Sequence, residues 1–310
     1  MDQETAAAKL QHGSLGGHPT SSAFQYHEAF SRNVGWLTAE EQEILRHKRV
    51  AIAGLGGAGG HYLLTLARLG VEKFSLAEFD SFEVANFNRQ AGGALSSVGR
   101  PKLEVMRQMA QDINPHLDLR LFPAGVTQAN VSNFLSGADV YLDGLDFFAL
   151  DARRLVFANC YQLRIPAITV APLGMSAGLI NFLPGRMSFE EYFRLEGRSA
   201  SEQYVRLLAG LSPAFLHRTY LADPTRVDLA ARKVPSTAMA CHLCAGIAVT
   251  EALKIMLGRG VVRAAPHGLQ FDAYRNRLVR TWRPGGNNNP LQRLLIALIR
   301  HRISVPARGV

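Results

Sequence analysis

The most constraining feature of the sequence is an apolar run that ends in closely spaced glycines. Residues 50–60 read Val-Ala-Ile-Ala-Gly-Leu-Gly-Gly-Ala-Gly-Gly, in which Gly54, Gly56, Gly57 and Gly59 contain the spacing Gly-x-Gly-x-x-Gly. Gly54 permits a tight turn, Gly56 lets the backbone approach a phosphate, and Gly59 lets a helix pack closely on the strand. The N-terminus of that helix offers unpaired N–H groups to an anion. The pattern predicts a strand, a nucleotide-binding turn and a helix.

Carboxylates stand where such a fold holds the sugar of a nucleotide. A second apolar run ends in Glu78, twenty-four residues after Gly54, and Asp80 follows two residues later. Nucleotide-binding folds place a carboxylate at this position for the ribose hydroxyls. We therefore assign Glu78 and Asp80 to the nucleotide site. The structural alternative is that Glu78 caps or pairs at the end of a strand.

Cationic side chains follow the glycines closely. Asn86 opens the stretch Asn-Phe-Asn-Arg-Gln, which carries Arg89, and Lys102 ends the stretch Gly-Arg-Pro-Lys. A dehydrogenase needs its charged groups near a nicotinamide, whereas cations behind the glycine loop suit a triphosphate. The sequence therefore favours ATP over a dinucleotide. The alternative for either cation is a solvated surface charge.

These residues belong to a series of ordered blocks that resemble the ThiF-type adenylyltransferases. That superfamily includes the ubiquitin-activating enzymes and the bacterial enzymes that activate sulfur-carrier proteins for thiamine and molybdopterin synthesis. The resemblance runs from about Phe30 to Trp282. Three of its blocks are the glycine loop, the Asn86 to Gln90 stretch and Lys102. The others are Phe30-Ser-Arg-Asn, Ile113-Asn-Pro, Asp143-Gly-Leu-Asp, Ile165-Pro, Gly174 to Gly178, and Gly246 to Gly258.

The resemblance implies a role for each matched residue and a reaction for the whole chain. A carboxylate attacks the α-phosphate of ATP and expels pyrophosphate, so catalysis is mainly positioning and charge neutralisation. In the implied site, Glu78 holds the ribose and Asp143 holds Mg²⁺. The phosphates are held by Asn86, Arg89 and Lys102. Arg32 reaches the γ-phosphate of the ATP bound to a neighbouring subunit. The alternative for Asp143 and Asp146 is that they begin a turn after a strand.

The cysteines depart from the pattern of the family. Many relatives carry two Cys-x-x-Cys pairs that bind a structural zinc, but the matching stretches from Gly185 and Arg283 contain no cysteine. We therefore expect no structural zinc. Cys241 and Cys244 have the spacing of half a zinc site, and three interpretations stay open: packing, a reactive thiol at Cys241 near a helix N-terminus, or a metal. We expect Cys160 to be a buried small residue.

Two further departures lie after Asp143. Phe147 stands where many relatives have asparagine, and Asp151 stands where arginine is common. Arg153 and Arg154 are near enough to replace that arginine. These substitutions leave open a nucleotide-holding protein that has lost turnover.

Composition sets the remaining limits. With 310 residues, 47% of them hydrophobic, the chain can bury one large core. No apolar run is expected to approach the roughly 20 residues of a membrane span, so we expect a soluble, cytoplasmic protein. Residues 1–23 lack an apolar stretch and are predicted to be a disordered leader. The net charge of +9 suits ATP, an acidic carrier protein or RNA.

Strands alternate with helices along the first 183 residues, which predicts a doubly wound, mainly parallel Rossmann-like α/β sheet with a C-terminal antiparallel extension. The predicted strands lie near residues 49–54, 73–78, 117–122, 139–142, 167–171, 179–183, 269–271 and 278–282. The predicted helices lie near residues 38–47, 60–69, 101–113, 150–163 and 246–257.

The predicted domain organisation has one core interrupted by an insertion. Residues 24–187 form the nucleotide-binding part and residues 241–284 complete it, while residues 188–240 are a helical crossover segment that is a candidate lid. Residues 285–310 are predicted to form a basic amphipathic tail helix. That helix could pack on its own domain or on a second subunit, lie on an anionic membrane, or occupy a partner groove.

The sequence thus predicts an ATP- and Mg²⁺-dependent adenylyltransferase that works as a homodimer. Its expected substrate is a carboxylate, either the C-terminus of a carrier protein or peptide, or a small acid. An alternative enzyme of the same superfamily dehydrates a modified adenosine in transfer RNA. A non-catalytic nucleotide-binding partner protein is the alternative outside enzymes, and a dinucleotide oxidoreductase ranks last.

Overall fold

The computed structural model of the chain describes residues 24–229 and 231–304. The predicted leader, residues 1–23, lies outside the described residues. Within the described ranges the strands form a single eight-stranded sheet of order β3-β2-β1-β4-β5-β6-β7-β8. Its strands are β1 (Arg49–Ala53), β2 (Lys73–Ala77), β3 (Asp118–Phe122), β4 (Val140–Asp143), β5 (Ala167–Leu173), β6 (Ser176–Phe182), β7 (His267–Asp272) and β8 (Arg277–Trp282).

The sheet changes once from parallel to antiparallel pairing, after β5. Strands β1 to β5 pair in parallel, whereas β6, β7 and β8 each pair antiparallel to the preceding strand. The central strands β1 and β4 are buried along their whole length, as expected for parallel strands covered on both faces. This topology confirms the predicted fold class.

Helices cover both faces of the sheet. In the described ranges they are α1 (Tyr26–Ala29), α2 (Ala39–His47), α3 (Gly57–Arg68), α4 (Lys102–Ile113), α5 (Val131–Leu135), α6 (Leu150–Gln162), α7 (Phe189–Phe193), α8 (Ala200–Leu211), α9 (Ala238–Leu257) and α10 (Pro290–Ser304). Val50 and Ile52 of β1 join the core cluster formed with α3, α4 and α9, whereas Ala51 and Ala53 join the cluster with α5, α6 and α7. Alternate residues of β1 therefore pack against helices on opposite faces of the sheet.

Helix α9 is longer than predicted. It begins at Ala238, eight residues before the expected start, because Thr237 caps it by accepting a hydrogen bond from Ala240 N at 3.3 Å. Cys241 and Cys244 consequently lie inside a helix. The expectation that no apolar run approaches the length of a membrane span is wrong, since α9 is a 20-residue apolar helix of that length. It packs against α3, β5 and β6, as a core helix does.

Helices α3 and α5 also differ from the prediction. Helix α3 begins at Gly57, three residues earlier than expected, so part of the glycine motif is already helical. Helix α5 was not predicted, because it has only five residues and lacks a full amphipathic period.

The tail helix α10 packs on α8. Its Ile296 and Ile299 are buried against Val205 and Ala209. Its opposite side exposes the stripe Leu291, Leu294 and Leu298. The side chain of Ile303, a further apolar residue of the predicted amphipathic helix, lies outside the described residues.

Candidate functional site

The site lies where three neighbouring strands end together. Ala53 of β1 is in register with Ala77 of β2 on one side and with Asp143 of β4 on the other. The residues that follow these positions, Gly54 and Glu78 among them, therefore leave the sheet side by side. This is the edge at which open α/β sheets bind ligands, outside the carboxyl ends of their strands.

The glycine loop is shaped by backbone contacts that exclude a side chain. Gly54 has φ +82°, and a Cβ there would collide with the carbonyl oxygen of Gly144. A Cβ on Gly59 would likewise collide with the carbonyl oxygen of Gly54. Gly56 precedes α3 without a side-chain cap, so the first N–H groups of α3 are open to an anion.

Glu78 fastens the glycine loop to the turn after β2. Its Oε2 accepts a hydrogen bond from Leu55 N at 2.8 Å, and its Oε1 accepts from Phe79 N and Asp80 N at 2.8 and 3.0 Å. Glu78 thus pairs with backbone groups at the end of a strand, which is the structural alternative given in the sequence analysis. The ribose role of Glu78 stays a prediction.

Lys102 stands beside the same turn. Its side chain is 92% buried, and its Nζ forms an ion pair with Asp80 Oδ2 at 3.1 Å. The backbone adds a hydrogen bond from Lys102 N to Asp80 O at 2.9 Å. The structure therefore brings a cation from the start of α4 to the carboxyl end of β2. Asn86 is buried nearby, and its Oδ1 accepts from Glu83 N at 3.0 Å within its own turn.

Arg89 and Gln90 lie against the start of α3. The Cγ and Cδ atoms of Arg89 are 3.8 and 3.9 Å from the position of a Cβ on Gly57. Its Nη1 donates to Ala85 O at 3.0 Å. Gln90 is buried, its Nε2 is 3.6 Å from a Cβ position on Gly56, and its Oε1 has no hydrogen-bond partner among the described residues. Sequence reasoning missed Gln90, although its place directly after Arg89 was a usable signal.

Cys241 is a packed thiol in this structure. The side chain is buried, and Sγ lies 2.9 Å from the position of a Cβ on Gly57. Burial raises the pKa of Cys241, an effect only partly offset by a hydrogen bond with Ser236 and by the charge of Arg89. Burial also raises the pKa of Cys244 and of Cys160. This supports packing over a reactive thiol at Cys241.

No cluster of three or more His, Cys, Asp or Glu side chains that could hold a metal occurs in the described part of the chain. The rings of His61 and His242 lie close together, with centroids 4.2 Å apart, but they are only two such side chains. The absence of structural zinc stays a prediction.

Asp143 is engaged by protein groups on both oxygens. Oδ2 accepts from Arg153 Nε and from Thr169 Oγ1, each at 2.8 Å, and Oδ1 accepts from Leu145 N at 3.3 Å. The resemblance implied Mg²⁺ as the partner of Asp143, whereas both of its oxygens have protein partners in this structure. Mg²⁺ needs carboxylate oxygens that are free to approach within about 2.1 Å, so Asp143 as placed does not fit a magnesium ligand. Asp146 is exposed and accepts from Phe148 N at 2.9 Å, as a turn residue does.

Arg32 is the one predicted catalytic residue that the described structure leaves apart from the others. The neighbouring Asn33 donates from Nδ2 to Leu69 O at 3.3 Å, at the carboxyl end of α3. Twelve residues of α-helix span about 18 Å, and the glycine loop lies at the other end of α3. Arg32 is exposed there, on the far side of its own nucleotide domain.

The crossover segment reaches the site just before α9. Asn88 Nδ2 donates to Ser236 O at 3.0 Å, and Thr237 Oγ1 donates to Gly174 O at 2.5 Å. Further back along the segment, the ring of Tyr204 packs edge-to-face on Phe148 with centroids 5.2 Å apart. Residues that precede α9 thus contact the Asn86 to Gln90 stretch.

The family model named ThiF family matches residues 30–294, more than four fifths of the chain. The chain belongs to the ThiF family. This confirms the predicted family. A molybdopterin-synthase adenylyltransferase of Salmonella typhimurium is 32% identical over 143 residues, which cover 46% of this chain and 57% of the relative. A tRNA threonylcarbamoyladenosine dehydratase of Bacillus subtilis is 32% identical over 141 residues, covering 45% and 55%. The chain thus spans little more than half the length of these ThiF-family relatives.

Solved structures agree on the ThiF-family fold. The crystal structure of E. coli MccB with AMPCPP and MccA superposes with a TM-score of 0.63 at 17% identity, and the match covers 84% of this chain and 73% of MccB. At this identity the likeness shows the fold alone.

Proposed function

We propose that this ThiF-family chain is an ATP-dependent adenylyltransferase that activates a carboxylate as an acyl-adenylate. The observation that carries the proposal is the open N-terminus of α3, with Arg89 against its first residue and Lys102 at the end of the neighbouring strand β2. Two cations and a helix N-terminus suit a polyphosphate better than the single pyrophosphate bridge of a dinucleotide. The names of the matched adenylyltransferases support the same reaction.

The reaction needs few chemical groups from the protein. A carboxylate oxygen attacks the α-phosphorus of ATP, the bond from that phosphorus to the β-phosphate oxygen breaks, and pyrophosphate leaves. Because a carboxylate is already anionic at neutral pH, no proton has to be removed. We assign the first N–H groups of α3 to a phosphate oxygen, and Lys102 and Arg89 to the charge that develops on the leaving pyrophosphate. We expect magnesium to accompany ATP, without a step that uses Asp143.

The proposed active enzyme is a homodimer. Arg32 lies about 18 Å from its own glycine loop by the length of α3, so it can serve only the ATP of another subunit. A set of apolar side chains near the site offers a surface that a second copy could cover, namely Phe79, Val84, Leu95 and Val98. A two-fold interface would give two composite sites.

The acceptor is proposed to be the C-terminus of a carrier protein or peptide, or a small acid, acted on in the cytoplasm. A tRNA-modifying dehydratase is the second candidate, favoured by the Bacillus subtilis relative and by the net charge of +9. A non-catalytic partner protein is the third, suggested by Phe147 and Asp151.

Exchange of labelled pyrophosphate into ATP tests the proposal. The purified chain is incubated with ATP, labelled pyrophosphate and, one at a time, carrier proteins with free C-termini, peptides, small acids and transfer RNA. Exchange that depends on one substrate supports adenylation and names the acceptor class. Tight ATP binding without exchange on any substrate would favour the non-catalytic alternative.

A further inference from the structure

A buried ion pair holds the turn that follows β4. The side chains of Asp143 and Arg153 are 2% and 4% exposed, and Arg153 Nε lies 2.8 Å from Asp143 Oδ2. The other two guanidinium nitrogens also donate hydrogen bonds, Nη2 to Leu145 O at 2.7 Å and Nη1 to Phe147 O at 3.3 Å. Arg153 therefore ties one carboxylate and two carbonyls of the same turn together.

This arrangement competes with the binding of a cation. A metal at Asp143 would have to displace Arg153 Nε or Thr169 Oγ1 from Oδ2, or Leu145 N from Oδ1. Displacing Arg153 would leave a buried guanidinium without its counter-charge, which is strongly destabilising. The pair is also neutral as a whole, so Asp143 and Arg153 together present little net charge to a cation.

The turn is in contact with the glycine loop. Gly144 N donates to Ala53 O at 2.9 Å, and a Cβ on Gly144 would lie 2.8 Å from the Cα of Gly59. The same Cβ would collide with the carbonyl oxygen of Gly54. A shift of the turn would therefore be transmitted directly to the backbone that the proposed function assigns to the phosphates.

We infer that Asp143 and Arg153 are positioning residues that fix the glycine loop through Gly144, and that Asp143 does not ligate the nucleotide's cation. The inference rests on the proposed function only in that the glycine loop binds ATP. Asp143 and Arg153 form one unit, so removing either should have the same effect as removing both. That effect should not depend on Mg²⁺.

The test compares Asp143→Asn, Arg153→Met and the double variant with wild type. Isothermal titration calorimetry gives the Kd for ATP in excess Mg²⁺ and in EDTA, and thermal unfolding without nucleotide gives Tm. We expect all three variants to weaken ATP binding by a similar factor, roughly 10- to 100-fold, in both buffers. We also expect the loss of Tm in the double variant to be well below the sum of the single losses. Arg154→Met is the matched control, because Arg154 forms only a partly exposed pair with Glu190 at 3.3 Å.

Contrary results are equally specific. If Asp143→Asn weakens binding in Mg²⁺ but leaves the Kd in EDTA unchanged, Asp143 is a cation ligand and the inference is overturned. Additive losses of Tm would overturn the paired role. If a variant does not fold, Arg153→Lys and Thr169→Val perturb the same carboxylate more gently and are compared in the same two buffers. Failure of wild type to bind ATP in either buffer would count against the proposed function, while the Tm comparison would still test the pair.

Discussion

Cys241 of α9 lies directly against Gly57, the first residue of α3. A Cβ on Gly57 would be 2.9 Å from Cys241 Sγ, closer than such atoms approach in folded proteins. The neighbouring helix α9 therefore favours a residue without a Cβ at this position. The contact also explains why the thiol is buried although α9 begins only three residues earlier.

The contact predicts a non-additive pair of substitutions. Gly57→Ala should lower the free energy of unfolding by about 1 to 3 kcal/mol, because the added methyl group overpacks the contact with Sγ. Cys241→Ala removes the sulfur, so the double variant should be more stable than the sum of the single effects predicts. Urea denaturation of all four proteins measures this. Strictly additive changes in the free energy of unfolding would show that the Gly57→Ala methyl group does not overpack against Cys241.

The same burial predicts slow chemistry at Cys241. Because burial raises the pKa of the thiol, little thiolate is present at pH 7.5, and solvent access is closed as well. Iodoacetamide should modify Cys241 much more slowly in the native protein than in urea, as followed by peptide mass spectrometry. Native labelling faster than that of the unfolded chain would instead identify an activated thiol.

Lys102 should be needed for turnover more than for folding. Its partner Asp80 has a half-exposed side chain, so water can solvate that carboxylate in Lys102→Met. Loss of a charge-assisted phosphate contact worth about 1.5 to 3 kcal/mol should slow ATP–pyrophosphate exchange roughly 10- to 150-fold. Arg107→Met, on the outer side of α4, is the control and should exchange normally. An unchanged rate of ATP–pyrophosphate exchange in both Lys102→Met and Arg89→Met would contradict the assignment of these residues to the phosphates.

Arg32 should act on the partner's ATP. Arg32→Ala and Lys102→Ala chains should each be inactive alone. Mixed under conditions of subunit exchange, they should recover up to about a quarter of wild-type exchange activity, because half the dimers are mixed and each has one intact site. Native mass spectrometry verifies that the chains exchange. A mixture that exchanges but stays inactive would place Arg32 outside any shared site.

His217 should make stability depend on pH. Burial lowers its pKa to about 4, against the opposing influence of Asp272, and Gln270 Nε2 approaches Nδ1 at 3.4 Å. Below about pH 6.5, His217 binds a proton in the unfolded chain but stays neutral in the native one. The free energy of unfolding therefore falls as pH falls toward 4, by up to about 3 kcal/mol. His217→Gln cannot titrate and should show a smaller loss over this window. Parallel pH profiles of the two proteins would contradict the assignment.

The sequence predicted the parts of the fold that depend on local patterns. Strand β1 is apolar after Arg49 and β4 is apolar up to Asp143, and the glycine spacing indicates the loop that follows β1. The start of α9 was missed because Cys241 and Cys244 suggested chemistry in a stretch that the Thr237 cap and small apolar residues make helical.

Pairing between distant groups could not be predicted in this way. Arg153 and Arg154 look equivalent in the sequence, yet one turns inward to Asp143 and the other outward to Glu190. Which of two adjacent arginines is buried depends on the phase of α6 against the sheet. The burial of Glu78 against Leu55 N likewise depends on the register of β1 and β2.

The single large sheet leaves two outer strands, β3 and β8, that pair on one side only within the described residues. Each carries exposed charges along its length, Asp118 and Arg120 on β3 and Arg277 and Arg280 on β8. Adding a strand from another molecule at either border would crowd or desolvate these charges. These charges therefore act against edge-to-edge pairing with another molecule at either border of the eight-stranded sheet.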